Sequence, residues 1–348
     1  MATLRELSER TGYSPATISR ILTGDPALSV TPEARARVLE EAGRLDYAAT
    51  RSRRGRTPKP LLRVGVAEML TPAERLRDPY YLYLSEDAAS SCRESRCTEV
   101  TLARRGDGFI LPEGETVDGV IAIGIFSRME VECLKALSPH VVFLDSSPDE
   151  LHCDSVVLNY RLGIEQALEH LWALGHRDIG FVGPAEKLDD WKQPAPETRR
   201  QTFLNWMAQR GGSDPLLLEC PMESNPTAGA VAAFLQSSEP CPTALLAANE
   251  ETAMGVVRAL RDAGKNIPGD VSVISFNDTP LSGAADPPLT AVSTHVREMA
   301  RTAVRLLLQR AKAEAERTLP QKVVIPPTLT IRESTAPPRF RKDETHDV

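Results

Sequence analysis

The stretch SPATISRIL (residues 14–22) sets two hydroxyls and one guanidinium among small side chains. Ser14 and Thr17 can bond phosphate oxygens, and Arg20 can present its planar fork to O6 and N7 of a guanine. Pro15 and Ala16 are compact enough to let a helix end approach the floor of a major groove, with Ser19 following them. This is recognition chemistry, with no nucleophile, base or metal ligand set up beside it.

The elements that must hold these residues can be read around them. Thr3 and Glu6 have the spacing of a capping box, Leu4 and Leu7 begin an apolar stripe, and Gly12 ends that first helix near Thr11. Ser14 caps a second helix with Pro15 at its first position, where the missing N–H costs nothing. Ile18, Ile21 and Leu22 share one face, so the small residues and Arg20 point elsewhere. A third helix opens at Thr31–Pro32 and is expected to bury Val38, Leu39, Ala42 and Leu45. Two short helices around a glycine turn, buttressed by a third, make a helix-turn-helix unit whose second helix enters the major groove. A generic helical hairpin shares the apolar spacing. It has no need of a small-residue face around one arginine.

Charge is distributed to match. The 348-residue chain carries a formal net charge of −7. Residues 1–63 nevertheless hold twelve basic side chains against seven acidic ones. A basic head on an acidic body points to a polyanion that binds the head alone, with a merely solvated charged face as the alternative. The length fits two or three domains. No apolar run reaches the ~20 residues of a membrane helix, and MATLRELSER lacks a signal-peptide core, so a cytoplasmic location is expected. The six scattered cysteines form no C-x-x-C pair and read as buried free thiols rather than metal ligands or disulfides. Neither G-x-G-x-x-G after a strand, nor a P-loop, nor G-x-S-x-G occurs, so no enzyme motif stands out and no cofactor or metal is expected.

From Leu61 onward strands alternate with helices. LLRVGVAEM, DGVIAIG, HVVFLDS and DSVVLNY form one series, and DIGFVG, TALLAAN and DVSVISFND form another after a long helix at 160–174. A helix is also expected from about Pro79 to Glu94. Such runs belong to doubly wound parallel sheets, here in two lobes, with a ligand cleft at the carboxyl ends of the strands.

MATLRELSERTGYSPATISRIL resembles the opening of the lactose/galactose repressor family. LGHRDIGFVG, AANEETAMGVVRALRDAGKNIPGDVSVISFND and PPLTAV extend that resemblance through the body. DPYYLYLSEDA and the shortened hinge are most similar to the branch of evolved β-galactosidase operon repressors. The resemblance implies base reading by Pro15, Ala16 and Arg20, with Thr17 and Ser19 on the phosphate side. It also implies an all-α DNA-binding head over 1–48, a hinge over 49–60, and an α/β periplasmic-binding-protein-like body over 61–334. The chain would cross between lobes near 160, 292 and 321. Lobe one would hold about 61–160 and 293–320, lobe two about 161–292 and 321–334, and 335–348 would be a disordered tail. In the hinge Gly55 stands where the family has a wedging leucine. Arg53, Arg54 and Arg56 then either enter the minor groove or form a plain tether.

By the same pattern Asp145, Arg199, Asn249 and Asn277 face the cleft, with Asp78 and Tyr80 as weaker candidates from the first lobe. Carboxylate and amide acceptors beside an arginine suit vicinal hydroxyls. Ser224 falls where relatives place a stacking aromatic, and Trp191 in the loop 184–198 is a candidate substitute. Trp172 and Trp206 read as core. The resemblance implies a transcriptional regulator, most simply a repressor, that acts as a homodimer (or a tetramer) on double-stranded operator DNA under the control of a small saccharide such as a galactoside. A sugar-binding protein of transport type is the alternative, since the body would serve either role.

Overall fold

The structure is a computed structural model that describes residues 4–22, 25, 28–45, 62–211, 215–312 and 319–339. The chain divides into two compact units, Met1–Lys59 and Pro60–Val348.

The small unit contains the helices Leu4–Thr11, Pro15–Leu22 and Pro32–Arg44. Gly12, at φ +77°, ends the first helix in a left-handed conformation that a side chain would resist. Ser14 Oγ accepts from the Thr17 amide at 3.1 Å and caps the second helix. Thr31 caps the third through the Ala34 amide. Leu7, Ile18, Ile21, Val38 and Ala42 form the buried centre. Leu39, expected in this core, is instead 51% exposed. Ala34, Val38 and Ala42 follow one another at i+4 and turn inward, which rotates Leu39 about 100° away. Arg53, Arg54 and Arg56 lie outside the described residues.

The large unit is built on two six-stranded sheets. The first runs in the order Lys322–Ile325, Asp154–Leu158, Val141–Leu144, Gly119–Ile123, Arg63–Glu68, Thr98–Thr101, all parallel. The second runs Leu217–Glu219, Ile179–Gly183, Ala244–Ala247, Ser272–Asn277, Thr290–Ser293, Thr328–Thr330, with only the last strand antiparallel. Central strands such as GVIAI and IGFVG are buried at every residue, as helices on both faces of a parallel sheet require. The helix Tyr160–Ala173 reaches the second sheet closely at Gly163, where a β-carbon would stand 2.8 Å from Val292.

The chain crosses between lobes after Asp154–Leu158, after Thr290–Ser293 and between Lys322–Ile325 and Thr328–Thr330. The third crossing therefore lies near 326, not 321. Lys322–Ile325 pairs in parallel with Asp154–Leu158 and belongs to the first lobe. Residues 335–339, expected to begin a disordered tail, instead pack on the second lobe, and 340–348 lie outside the described residues. Thr335 meets His170, Ala336 accepts from the Ser272 hydroxyl and bonds His176, and Arg339 approaches Asp270. All six cysteines are free thiols. No helix among the described residues is long and apolar enough to cross a membrane.

One buried ion pair fastens the returning segment to the first lobe. Asp154, 1% exposed, accepts from Nε and Nη2 of Arg310 and from the Gln321 amide. Removing one partner leaves the other charge buried and uncompensated. Arg310→Met should therefore destabilise the body by about 3–5 kcal/mol in urea unfolding, while Arg310→Met combined with Asp154→Leu should recover most of that loss.

Candidate functional site

Two sites take shape, one in each unit. In the small unit Ser14, Pro15, Ala16 and Arg20 are exposed, and Thr17 and Ser19 are half-buried. The second helix thus presents the face that the apolar spacing left free. Arg20 Nε donates to Asp25 Oδ2 at 2.7 Å, an exposed pair that draws the guanidinium toward the turn following the helix.

In the large unit a cavity of about 640 Å³ opens between the lobes, within the range of pockets for small organic ligands. Asp78, Tyr80, Asp145, Arg199, Asn249 and Asn277 all line it. Three of the six sit where strands end, as a doubly wound sheet dictates. Asp145 follows Val141–Leu144, Asn249 follows Ala244–Ala247, and Asn277 closes Ser272–Asn277. Asp145 and Asn277 have φ of 81° and 100°, strain of the kind that gathers at ligand sites.

Asp145 is the centre of the first-lobe wall. Its carboxylate accepts from the phenols of Tyr80 at 2.8 Å, Tyr81 at 2.7 Å and Tyr160 at 3.2 Å. Burial pushes the Asp145 carboxyl up, while the Tyr81 and Tyr80 hydroxyls pull it back. Burial, and then the Asp145 charge, raise the three phenols well above their ordinary value, so they stay protonated donors. Burial and the neighbouring Asp145 also raise the Asp78 carboxyl to about 6.

The opposite wall holds Arg199, 6% exposed. Its Nε donates to Glu197 at 2.8 Å, Nη1 to the Ala248 carbonyl and Nη2 to the Met222 sulfur. Burial opposes the charge on Glu197, yet the guanidinium beside it holds the carboxyl below the usual range. The rings of Tyr160 and Phe276 flank Arg199, each centroid 5.5 Å from the guanidinium carbon. Tyr160 therefore touches both principal charges, through its hydroxyl and through its ring. Asn249 serves two ends: Oδ1 caps the helix Glu250–Asp262 through Thr252, and Nδ2 reaches the Met222 carbonyl.

Trp191 does not line the cavity. It packs on the first-lobe cluster, with Arg128 4.8 Å from its ring centroid. Ser224 also lies outside the wall, at the start of the helix Ser224–Leu235, and Met222 lines the cavity there. Trp206 is buried, as expected of a core residue, and Trp172, half-buried, packs edge to face against it in the second lobe. Sequence reasoning missed Tyr81, Tyr160, Lys187 and Glu197. Tyr160 was findable, because it opens the helix at a crossing, but nothing in the sequence marks Lys187. Among the described residues no three metal-ligating side chains converge.

A family model described as a periplasmic binding protein-like domain matches residues 168–335. The HTH-type transcriptional repressor MelR of Bacillus subtilis (strain 168) is 32% identical over 345 residues, spanning 96% of this chain and 97% of that protein. The HTH-type transcriptional regulator GalR of Lacticaseibacillus casei is also 32% identical, over 96% of this chain and 100% of its own length. These relatives are regulators of transcription, not enzymes. Among solved structures, the lac repressor dimer bound to operator and the anti-inducer ONPF matches 96% of this chain and 99% of its own, at TM-score 0.61 and 22% identity. The transcriptional regulator CelR–cellobiose complex matches 96% and 100%, at TM-score 0.63 and 21% identity. With a helix-turn-helix head, a two-lobed body and relatives aligned end to end, this chain belongs to the lactose/galactose repressor family of transcriptional regulators.

Proposed function

We propose that this regulator is a homodimeric repressor whose hold on a near-palindromic operator is set by a small saccharide, a galactoside first among candidates, bound between its lobes. The observation that carries the reading is the cleft itself. Acceptors come from the first lobe at Asp78 and Asp145, and donors come from the second at Arg199, Asn249 and Asn277. A polyhydroxylated ligand can accept from one wall and donate to the other, so it binds best when the lobes are drawn together. Relatives named GalR and a solved relative in complex with cellobiose support the ligand class. In this reading Ser14, Pro15, Ala16, Thr17, Ser19 and Arg20 face operator DNA. Arg53, Arg54 and Arg56 supply phosphate or minor-groove contacts in the hinge. A transport role is not favoured, because the relatives that align over the whole chain regulate transcription.

On the DNA side, Arg20→Ala should cost about 1–3 kcal/mol on the operator and relax base preference at the position it reads. Neutralising Arg53, Arg54 and Arg56 together should weaken binding to all sequences and flatten the salt dependence by about 0.9 in log–log slope per lost phosphate contact. Operator titrations at several salt concentrations check both.

On the ligand side, Arg199→Met paired with Glu197→Gln removes the cation without stranding its carboxylate. This double variant should keep operator affinity and lose sugar affinity by about tenfold or more, as the loss of a charged hydrogen bond of about 1.5–3 kcal/mol implies. Operator binding titrated with galactose, lactose, melibiose and cellobiose measures the response. An undiminished response in the double variant would remove Arg199 from the site.

A further inference from the structure

The loop between the strand Ile179–Gly183 and the helix Thr198–Gln209 folds as an antiparallel hairpin, Glu186–Leu188 against Pro194–Pro196. It grows from the second lobe, yet its tip is fastened to the first. Trp191 sits among the first-lobe cluster that includes Phe126 and Val131, under the Arg128 guanidinium. Lys192 Nζ lies 3.4 Å from both carboxylate oxygens of Glu130, which is only 2% exposed. Asp190 Oδ1 accepts from the Ser147 amide at 3.2 Å. The turn is internally stiff as well, because Asp189 Oδ1 accepts from the amides of Trp191 and Gln193.

Between this fastened tip and its base the hairpin forms a wall of the cavity. Residues from Glu186 to Asp190 line it on one strand, and Ala195 and Pro196 on the other. Lys187 faces inward, its ammonium 4.7 Å from the centroid of the Tyr160 ring. That ring belongs to the same tyrosine that donates to Asp145. A ligand lying between Asp145 and Arg199 therefore lies beside Lys187. Burial, and then the Arg199 charge, lower the Lys187 amine from its ordinary value, so a ligand acceptor brought to it relieves a cation that is poorly solvated.

We propose that the hairpin Glu186–Pro196 is the gate of the cleft, held shut by the first lobe at its tip and contacting the bound saccharide through Lys187. The gate rests on the saccharide reading only for its ligand; its mechanical part does not. Release of the tip from Arg128, Glu130 and Ser147 frees this wall of the cavity to swing away from the first lobe. A ligand contact at Lys187 stabilises the shut hairpin, and the shut hairpin holds the two lobes together. Ligand occupancy is thereby tied to lobe closure through differential contacts in the shut state.

Two measurements on the full-length protein test this. The first needs no ligand: amide hydrogen exchange across residues 188–193 in wild type, Trp191→Ala, Arg128→Ala and the double variant. Each single variant should exchange about tenfold faster there, and the double little faster than either, since both remove one stacked contact. Unchanged exchange in both single variants overturns the gate. The second measures dissociation rates of lactose and cellobiose by stopped flow. Trp191→Ala should release a bound sugar about tenfold faster. Lys187→Met should weaken binding, and Lys187→Arg should restore part of it. Binding by Lys187→Met as tight as wild type overturns the ligand contact. Should neither sugar bind wild type, the saccharide reading fails, and the exchange result still decides the gate.

Discussion

A carboxylate taken out of water costs several kcal/mol unless its oxygens find donors, and the cleft is organised around one such group. Asp145 is half-buried at the end of a first-lobe strand with a left-handed backbone, and three phenols satisfy it. Two of those phenols come from the helix Pro79–Glu94, which fixes that helix over the end of the first sheet. The third comes from Tyr160, the first residue of the helix that carries the chain into the second lobe. The Tyr160 ring then lies against Arg199, whose charge is balanced by Glu197. Satisfying one anion in the first lobe thus positions one cation in the second. The polar walls of the cavity face each other because of that chain of contacts.

The same arrangement explains what was legible beforehand. The alternation of fully apolar runs with amphipathic helices specified two parallel sheets, because strands covered on both faces leave no polar positions. Ser14 and Thr31 announced their helices by chemistry that acts locally, within three residues. The strand-end residues Asp145, Asn249 and Asn277 were implied by the family resemblance, and all three line the cavity, as residues at the carboxyl ends of parallel strands do. Where an outcome depends on distant partners, the sequence was silent or misleading. Leu39 and Val38 are adjacent and both apolar, and only the helix phase decides which turns inward. Lys322–Ile325 is a short edge strand with an exposed, uneven pattern, so its lobe is set by pairing with Asp154–Leu158 and by the Arg310–Asp154 pair. Trp191 is an aromatic in a loop, and such a residue packs wherever the fold brings an apolar surface, here the opposite lobe. Lys187 has no sequence signature at all, since a lysine becomes a cavity residue only through the hairpin that carries it.

The two units divide the work along lines already present in their charge. The head brings a compact helix face to a polyanion, and the acidic body supplies a cleft of mixed charge in which Asp145 is held by phenols and Arg199 by Glu197. Pairing matters for the ligand. A cleft lined by a free carboxylate and a free guanidinium would favour ions. With Asp145 held by phenols and Arg199 by Glu197, the hydrogen-bonding capacity that remains suits an uncharged, hydroxyl-rich molecule.

The central claim is that one ligand, bound between the lobes, and operator DNA, bound at the head, bias the same conformational equilibrium. Thermodynamic linkage makes that claim testable without knowing how the units move. The direct measurement is the dissociation constant of an effective saccharide, by calorimetry, for the free protein and for the protein saturated with operator. The account predicts that operator changes the sugar affinity by the same factor, in the same direction, as sugar changes the operator affinity. Identical sugar affinities with and without operator, alongside a sugar that does alter operator binding under the same conditions, would contradict it.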